Sequence, residues 1–162
     1  MKVGVVSDTH DNLPLIEKAV KIFNEKEVEL VLHAGDYVAP FVVKVLKRLR
    51  AKLIGVFGNN DGDRILLGKK FDEIGFKIFN PPYEFTIKNK NILLMHEPNL
   101  LDSIIKSNMY HIIIYGHTHS VNLRRNNIIV FNPGEASGWL YGKPTIGIVN
   151  LDSMEVELIK LR

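Results

Sequence analysis

Cysteine is absent from this sequence, and so is glutamine. Without cysteine there can be no disulfide framework, thiolate ligand or thiol nucleophile, and the cytoplasm is the simplest expected location. The lack of glutamine beside abundant lysine, glutamate and isoleucine points toward a thermophile, whereas the many asparagines point the other way. No apolar run approaches the roughly 20 residues a transmembrane helix needs, and no charged-then-apolar leader opens the chain, so no membrane association is expected. The charge balance is also weak, at a net +3 spread mostly over scattered lysines. That permits an anionic substrate but does not indicate nucleic acid. No linker, repeat or low-complexity tract appears. With 162 residues, 46% hydrophobic and 24% charged, residues 1–162 are expected to form a single globular domain.

The first half alternates strand and helix patterns. "KVGVVS", "VELVLHAGD" and "AKLIGVFGNND" read as buried strands. Between them lie "LPLIEKAVKIFNEK", with apolar residues at Leu13, Ile16, Val20 and Phe23, and "APFVVKVLKRLR", with Pro40 in its first turn. Residues 64–75 suggest a further short helix. Such alternation implies right-handed crossovers and a parallel sheet. From Lys77 onward the pattern is of short strands. "KIFNPPYEFTIKNKNILLMHEP" holds three of them, turning at Pro81-Pro82 and Asn89-Lys90-Asn91. "NLLDSIIKSNM" reads as a helix and "YHIIIYGHTH" as a strand. Two hairpins follow, one with Asn126-Asn127 at its tip, where asparagine tolerates positive φ, and one turning at Asp152-Ser153. This half is expected to be mostly antiparallel, and two face-to-face sheets with helices outside accommodate both halves.

Five strands end in residues able to bind metal or phosphate: Asp8 and His10, Asp36, Asn59, His96, then His117 and His119. Ligands of open α/β sheets gather at the carboxyl ends of strands. In "SDTH" and "GHTH" the paired residues are two apart, so an extended chain would point both the same way. Glycine precedes Asp36, Asn59 and His117, where backbone must turn sharply or approach closely. Taken singly, Asp8 and Asn59 could be caps, Asp36 a turn residue and His96 a core histidine. All seven at strand ends together favour a metal cluster. Two cations roughly 3.5–4 Å apart, sharing one carboxylate, would satisfy them. Nitrogen and oxygen ligation without thiolate suits Mn, Fe, Co, Ni or Zn. His33 and His111 lie within or at the start of apolar strands, which suggests core or supporting positions. Trp139 and Tyr141 could line a substrate entrance or an oligomer contact, with surface packing the simpler reading.

The segments "DTH" (8–10), "GD" (35–36), "GNND" (58–61), His96 and "GHTH" (116–119), in this order, resemble the motif series of the calcineurin-like metallophosphoesterases. The length and motif order are similar to the short bacterial and archaeal branch, and the likeness runs from Lys2 through "NPGE". It implies a four-layer αββα sandwich of two mixed β-sheets flanked by helices. It further implies two divalent transition-metal ions per chain, one on Asp8, His10, Asp36 and His119, the other on Asp36, Asn59, His96 and His117, with Asp36 bridging. The activity implied is hydrolysis of a small phosphodiester by a hydroxide bridging the metals. A non-catalytic scaffold of the same fold and a nuclease or nucleotide phosphatase are the rival readings. This chain departs from the pattern twice. Asn60 stands where the larger family usually has histidine, so it can hydrogen-bond the substrate phosphate or leaving group but cannot transfer a proton. Glu97-Pro98 follows His96 where Gly-His is usual.

Overall fold

β-Branched and large apolar residues dominate the strands, and their alternation sorts side chains between the two faces of each sheet. A computed structural model describes residues Met1–Arg162. The first half contains β1 (Lys2–Val6), α1 (Leu13–Glu25), β2 (Leu30–His33), α2 (Val43–Leu46), β3 (Lys52–Val56), α3 (Arg64–Glu73) and β4 (Lys77–Phe79). Then come β5 (Tyr83–Ile87), β6 (Lys90–Leu94), α4 (Leu101–Lys106), β7 (Ile112–Ile114), β8 (Val121–Arg125), β9 (Ile129–Pro133), β10 (Thr145–Asn150) and β11 (Glu155–Lys160).

One sheet has the order β11-β10-β1-β2-β3-β4, and the other β5-β6-β7-β9-β8. Both are mixed. In the first, β1 to β4 are parallel while β10 and β11 run against their neighbours. In the second, β6, β7 and β9 are parallel and flanked by antiparallel β5 and β8. The expected four-layer αββα sandwich is the observed one. Phe23, Leu46, Leu67 and Phe71 of α1 to α3 pack on Val6, Val31 and Leu53. On the opposite face of the same strands, Val5, Leu32 and Val56 meet Ile92, Ile114 and Phe131 of the second sheet. Leu101, Ile104 and Ile105 of α4 cover Leu93, Ile113 and Val130. Each fully buried Leu, Ile or Phe side chain contributes roughly 1.5–3 kcal/mol by transfer from water.

The structure corrects several expectations. Residues 39–50 do not form one helix: a 3₁₀ turn at Pro40–Val42 leads into the single turn of α2. After α2 the coil tightens, with Arg48 N–H donating to Val45 C=O and Leu49 N–H to Leu46 C=O, and it ends before β3 begins at Lys52. The second half is mostly antiparallel as expected, in the pairs β5–β6, β8–β9 and β10–β11, but the centre of its sheet is parallel, because α4 is a crossover that returns the chain parallel to β6. The β10–β11 hairpin, which the sequence assigned to neither sheet, joins the first. At the β8–β9 tip neither Asn126 nor Asn127 has positive φ. The turn expected at 89–91 is one residue earlier, where Lys88 and Asn89 adopt φ of 47° and 59°.

Candidate metal centre

Parallel pairing sets the centre. β1, β2 and β3 are adjacent and point the same way, as are β6 and β7, so the loops that follow all five strands meet at one edge of the sandwich. Backbone bonds lace these loops together: Asp8 N–H donates to Gly35 C=O (3.0 Å), His10 N–H to Asp36 C=O (3.1 Å) and Gly116 N–H to His96 C=O (3.0 Å). His96 Nδ1 donates to Ala34 C=O at 2.7 Å, and His117 N–H donates to Asp8 Oδ2 at 3.1 Å, joining the two sheets.

All seven residues expected at the centre are brought together, in two overlapping groups. Asp8, His10, Asp36 and His119 offer ligand atoms that all lie within 4.8 Å of one another. In the second group, Asn59 Oδ1 is 2.8 Å from His96 Nε2 and 2.9 Å from His117 Nδ1, and His96 Nε2 is 3.4 Å from Asp36 Oδ2. Asp36 borders both groups. The paired residues do not sit on extended chain as expected. Asp8, His10, Asp36, His117 and His119 have φ of 53°, 38°, 61°, 67° and 56°, in or near the left-handed region. Left-handed turns, not strand alternation, aim these side chains. Such conformations cost of order 1–3 kcal/mol each and cluster at functional sites. Val38, a β-branched residue at φ 86°, is the most unfavourable member of this strained set.

The electrostatics are those of a cation-binding site. Asp8 and Asp36 are almost fully buried. Burial raises the Asp8 pKa despite the Ser7 hydroxyl and the nearby His96 and His119. For Asp36 burial is again the largest influence and acts upward. The hydrogen bond and charge of His96, with two N–H groups of Asn60, overcome it and hold the carboxyl well below its usual range. Burial alone would lower His96, but its bond and charge interaction with Asp36 raise it.

The donor set fits a divalent cation on grounds internal to the fold. His96 gives its Nδ1 proton to Ala34, so in the neutral ring Nε2 directs a lone pair at Asn59 and Asp36 oxygens. His119 gives its Nδ1 proton to Glu135 at 3.0 Å, directing its Nε2 lone pair at Asp8 Oδ1, 3.4 Å away. At His96–Asp36 and His119–Asp8 an imidazole lone pair therefore faces a carboxylate oxygen, an arrangement that a shared proton or a cation relieves. Asp8 Oδ1 and His10 Nε2 are buried without any hydrogen-bond partner and lie 4.0 Å apart. Residues able to hold a metal are therefore Asp8, His10, Asp36 and His119, with Asn59, His96 and His117 beside them.

Other site residues had weaker signals in the sequence. Glu135, fully buried, accepts from His119, from the Ser137 hydroxyl and from the backbone N–H groups of Leu140 and Tyr141. Those backbone bonds and His119 lower its pKa against the opposing effect of burial. Asp61 accepts from Asp36, Val38 and Gly58 N–H groups and so binds the loops after β2 and β3 together. Its place in "GNND" was the available hint. Asn132 Nδ2 donates to Gly116 C=O and Thr118 Oγ1, fixing the His117–His119 turn. Asn60 donates through backbone and side chain to Asp36, at 2.8 and 2.7 Å. His33 is buried behind the loops, bonded to Thr9 Oγ1 and Gly35 N–H and stacked on Tyr37, which is the supporting position expected. His111 is not a core residue: it is exposed at the start of β7, where Nδ1 accepts from Asn91 N–H. Trp139 and Tyr141 are exposed, and Trp139 Nε1 donates to His10 C=O, which places the ring at the rim of the centre.

A family model described as the calcineurin-like phosphoesterase superfamily domain matches residues 1–154. The chain belongs to the calcineurin-like phosphoesterase superfamily. Among relatives of this phosphoesterase, phosphodiesterase MJ0936 of Methanocaldococcus jannaschii is 41% identical over 165 residues, covering 99% of each chain. Phosphodiesterase YfcE of Escherichia coli (strain K12) is 28% identical, covering 96% of this chain and 91% of its own. A solved structure of an archaeal phosphodiesterase superposes with a TM-score of 0.93 at 40% identity, covering 99% of each chain. Vps29 of Entamoeba histolytica, solved in complex with zinc, superposes with a TM-score of 0.71 at 19% identity over the whole of both chains, a likeness of fold. No helix is long and apolar enough to cross a membrane.

Proposed function

We propose that this phosphoesterase is a phosphodiesterase using two divalent transition-metal ions and acting on small phosphodiesters. The carrying observation is the tetrad Asp8, His10, Asp36 and His119, whose ligand atoms fall within 4.8 Å with two buried polar atoms, Asp8 Oδ1 and His10 Nε2, unpaired. These four would hold one ion, and Asp36, Asn59, His96 and His117 the other. Such ions supply positive charge for the phosphoryl oxygens and lower the pKa of water at the site. Hydrogen bonds on their second ring nitrogens hold His96 and His119 in the tautomers that leave Nε2 free. Asp61 and Asn132 keep the loops in register. Asn60 holds Asp36 in place and offers no titrating proton, so the departing alcohol must leave unprotonated or take a proton from solvent. Activated aryl esters tolerate that best. A single domain spanning 1–162 accounts for all of these residues.

The purified protein is expected to carry two transition-metal ions per chain and to hydrolyse bis(4-nitrophenyl) phosphate. Activity should vanish with chelator and return with Mn or Ni. Full hydrolysis by thoroughly demetallated protein would overturn the proposal. A protein that binds metal tightly yet hydrolyses no phosphoester would be a scaffold.

A further inference from the structure

A cleft of about 570 Å³ opens beside the centre and shares Asn59 and His96 with it. None of the remaining wall belongs to the metal-ligating set. Buried Phe57 and Met95 contribute apolar surface, with Ile104 of α4 beside them. Leu100 lines the same cleft and is 78% exposed, its backbone left-handed at φ 57°. Pro81 and Pro82 form another part of the wall. Phe79 and Tyr83, on either side of Asn80-Pro81-Pro82, stack with ring centroids 3.8 Å apart, which fixes that turn. Arg64 is the one cation. Its Nη2 donates to Gly58 C=O (2.7 Å) and its guanidinium lies 5.4 Å from the Phe57 ring centroid. Its hydrogen bonds go only to backbone carbonyls; Glu97, the one carboxylate on the same wall, accepts from Asn99 and forms no ion pair with it.

We propose that this cleft is the subsite for one organic ester group of the substrate, and that the group is apolar and aromatic. The inference rests on the phosphodiesterase reading and narrows its substrate class. A diester held by its phosphoryl oxygens at the centre still carries two organic groups. The apolar walls favour burying one of them in proportion to the area removed from water. Ligand pockets run from roughly 300 to 1,000 Å³, so this volume accommodates one or two rings. A planar group suits the two prolines and the guanidinium plane of Arg64, which itself rests on the Phe57 ring. A methyl ester would leave the same surface wet.

Phenylphosphonate and methylphosphonate share an anionic head and differ in the organic group, so comparing them reads the cleft. Their affinities can be measured by calorimetry on the metal-loaded protein and as inhibition constants against bis(4-nitrophenyl) phosphate. Phenylphosphonate should bind about tenfold tighter. Leu100→Asn removes an apolar wall at an exposed position whose left-handed backbone asparagine tolerates. Arg64→Gln removes the cation. Each should reduce the phenyl preference by roughly threefold or more, with the loss falling on phenylphosphonate and metal content remaining at the wild-type level. Equal losses for both phosphonates, or a wild-type preference near one, would overturn the subsite. Absence of metal-dependent diester hydrolysis would instead overturn the underlying phosphodiesterase reading, and this inference with it.

Discussion

At Asp36 a single carboxylate stands 3.5 Å from His10 Nε2 and 3.4 Å from His96 Nε2, between the two halves of the centre. His119 pairs with Asp8 and Glu135 and stacks on His10, all on one side of the centre. Replacing Asp36 by alanine should therefore lower occupancy of both metals, whereas His119→Ala should mainly weaken one. Elemental analysis distinguishes the two, and equal metal loss in both variants would contradict a shared carboxylate. A second effect acts through Glu135. An ionised carboxylate there holds the proton on His119 Nδ1. Glu135→Gln is nearly isosteric, but its amide can donate as well as accept and no longer enforces that tautomer. Supporting partners of this kind are typically worth 10–100-fold in metal affinity. Isothermal titration should show that loss, and unchanged affinity would mean that His119 is oriented by something else.

At the scale of elements, the loops matter more than the strands they extend. An added Cβ at Gly58 would sit 2.1 Å from Asp36 Oδ1 and 2.4 Å from Asp36 N. Gly58→Ala must therefore push the β3 loop away from the β2 loop, where Asp61 now binds the Gly58 and Asp36 N–H groups. Overpacking of this sort costs typically 1–3 kcal/mol. The variant should keep its far-UV spectrum, lose stability in urea by about that amount, and bind metal more weakly. Wild-type metal affinity would show that the two loops move independently.

These loops also mark where the sequence stopped being legible. Apolar runs ending in Gly-Asp, Gly-Asn and Gly-His located Asp36, Asn59 and His117 correctly at strand ends, because strand burial and glycine turns are local signals. The left-handed backbone at Asp8, His10 and His119 was not readable, since no glycine occupies those positions and contacts with other loops enforce the conformation. Glu135 lies 16 residues from His119, and their bond depends on β7 pairing with β9. The destination of the β10–β11 hairpin is likewise a long-range choice. Its alternation fits either sheet, and only the pairing of Lys2–Val5 with Gly147–Asn150 decides it.

For the molecule as a whole, His33 couples folding to pH. It is fully buried at the end of β2, accepts Gly35 N–H through Nδ1 at 3.1 Å, and stacks on Tyr37 with centroids 3.7 Å apart. Burial first, then the charge of His96, holds its pKa well below 6.5. Below that pH the unfolded chain takes up a proton that folded His33 refuses. Stability therefore rises with pH up to about 6.5 on this account and is lost as the pH falls, with a limiting slope of about 1.4 kcal/mol per pH unit. His96 contributes the opposite sign: its raised pKa stabilises the fold below 6.5 and that contribution fades as the pH rises through the folded value. Comparing wild type with His33→Gln under chelator largely cancels the His96 contribution, since both proteins carry it. The variant should be less stable at pH 7.5, having lost the ring stack, yet should lose less stability than wild type between pH 6.5 and 5.5. Urea unfolding at several pH values gives both curves. If they run parallel through that interval, His33 takes up its proton in the folded protein as readily as in the unfolded chain.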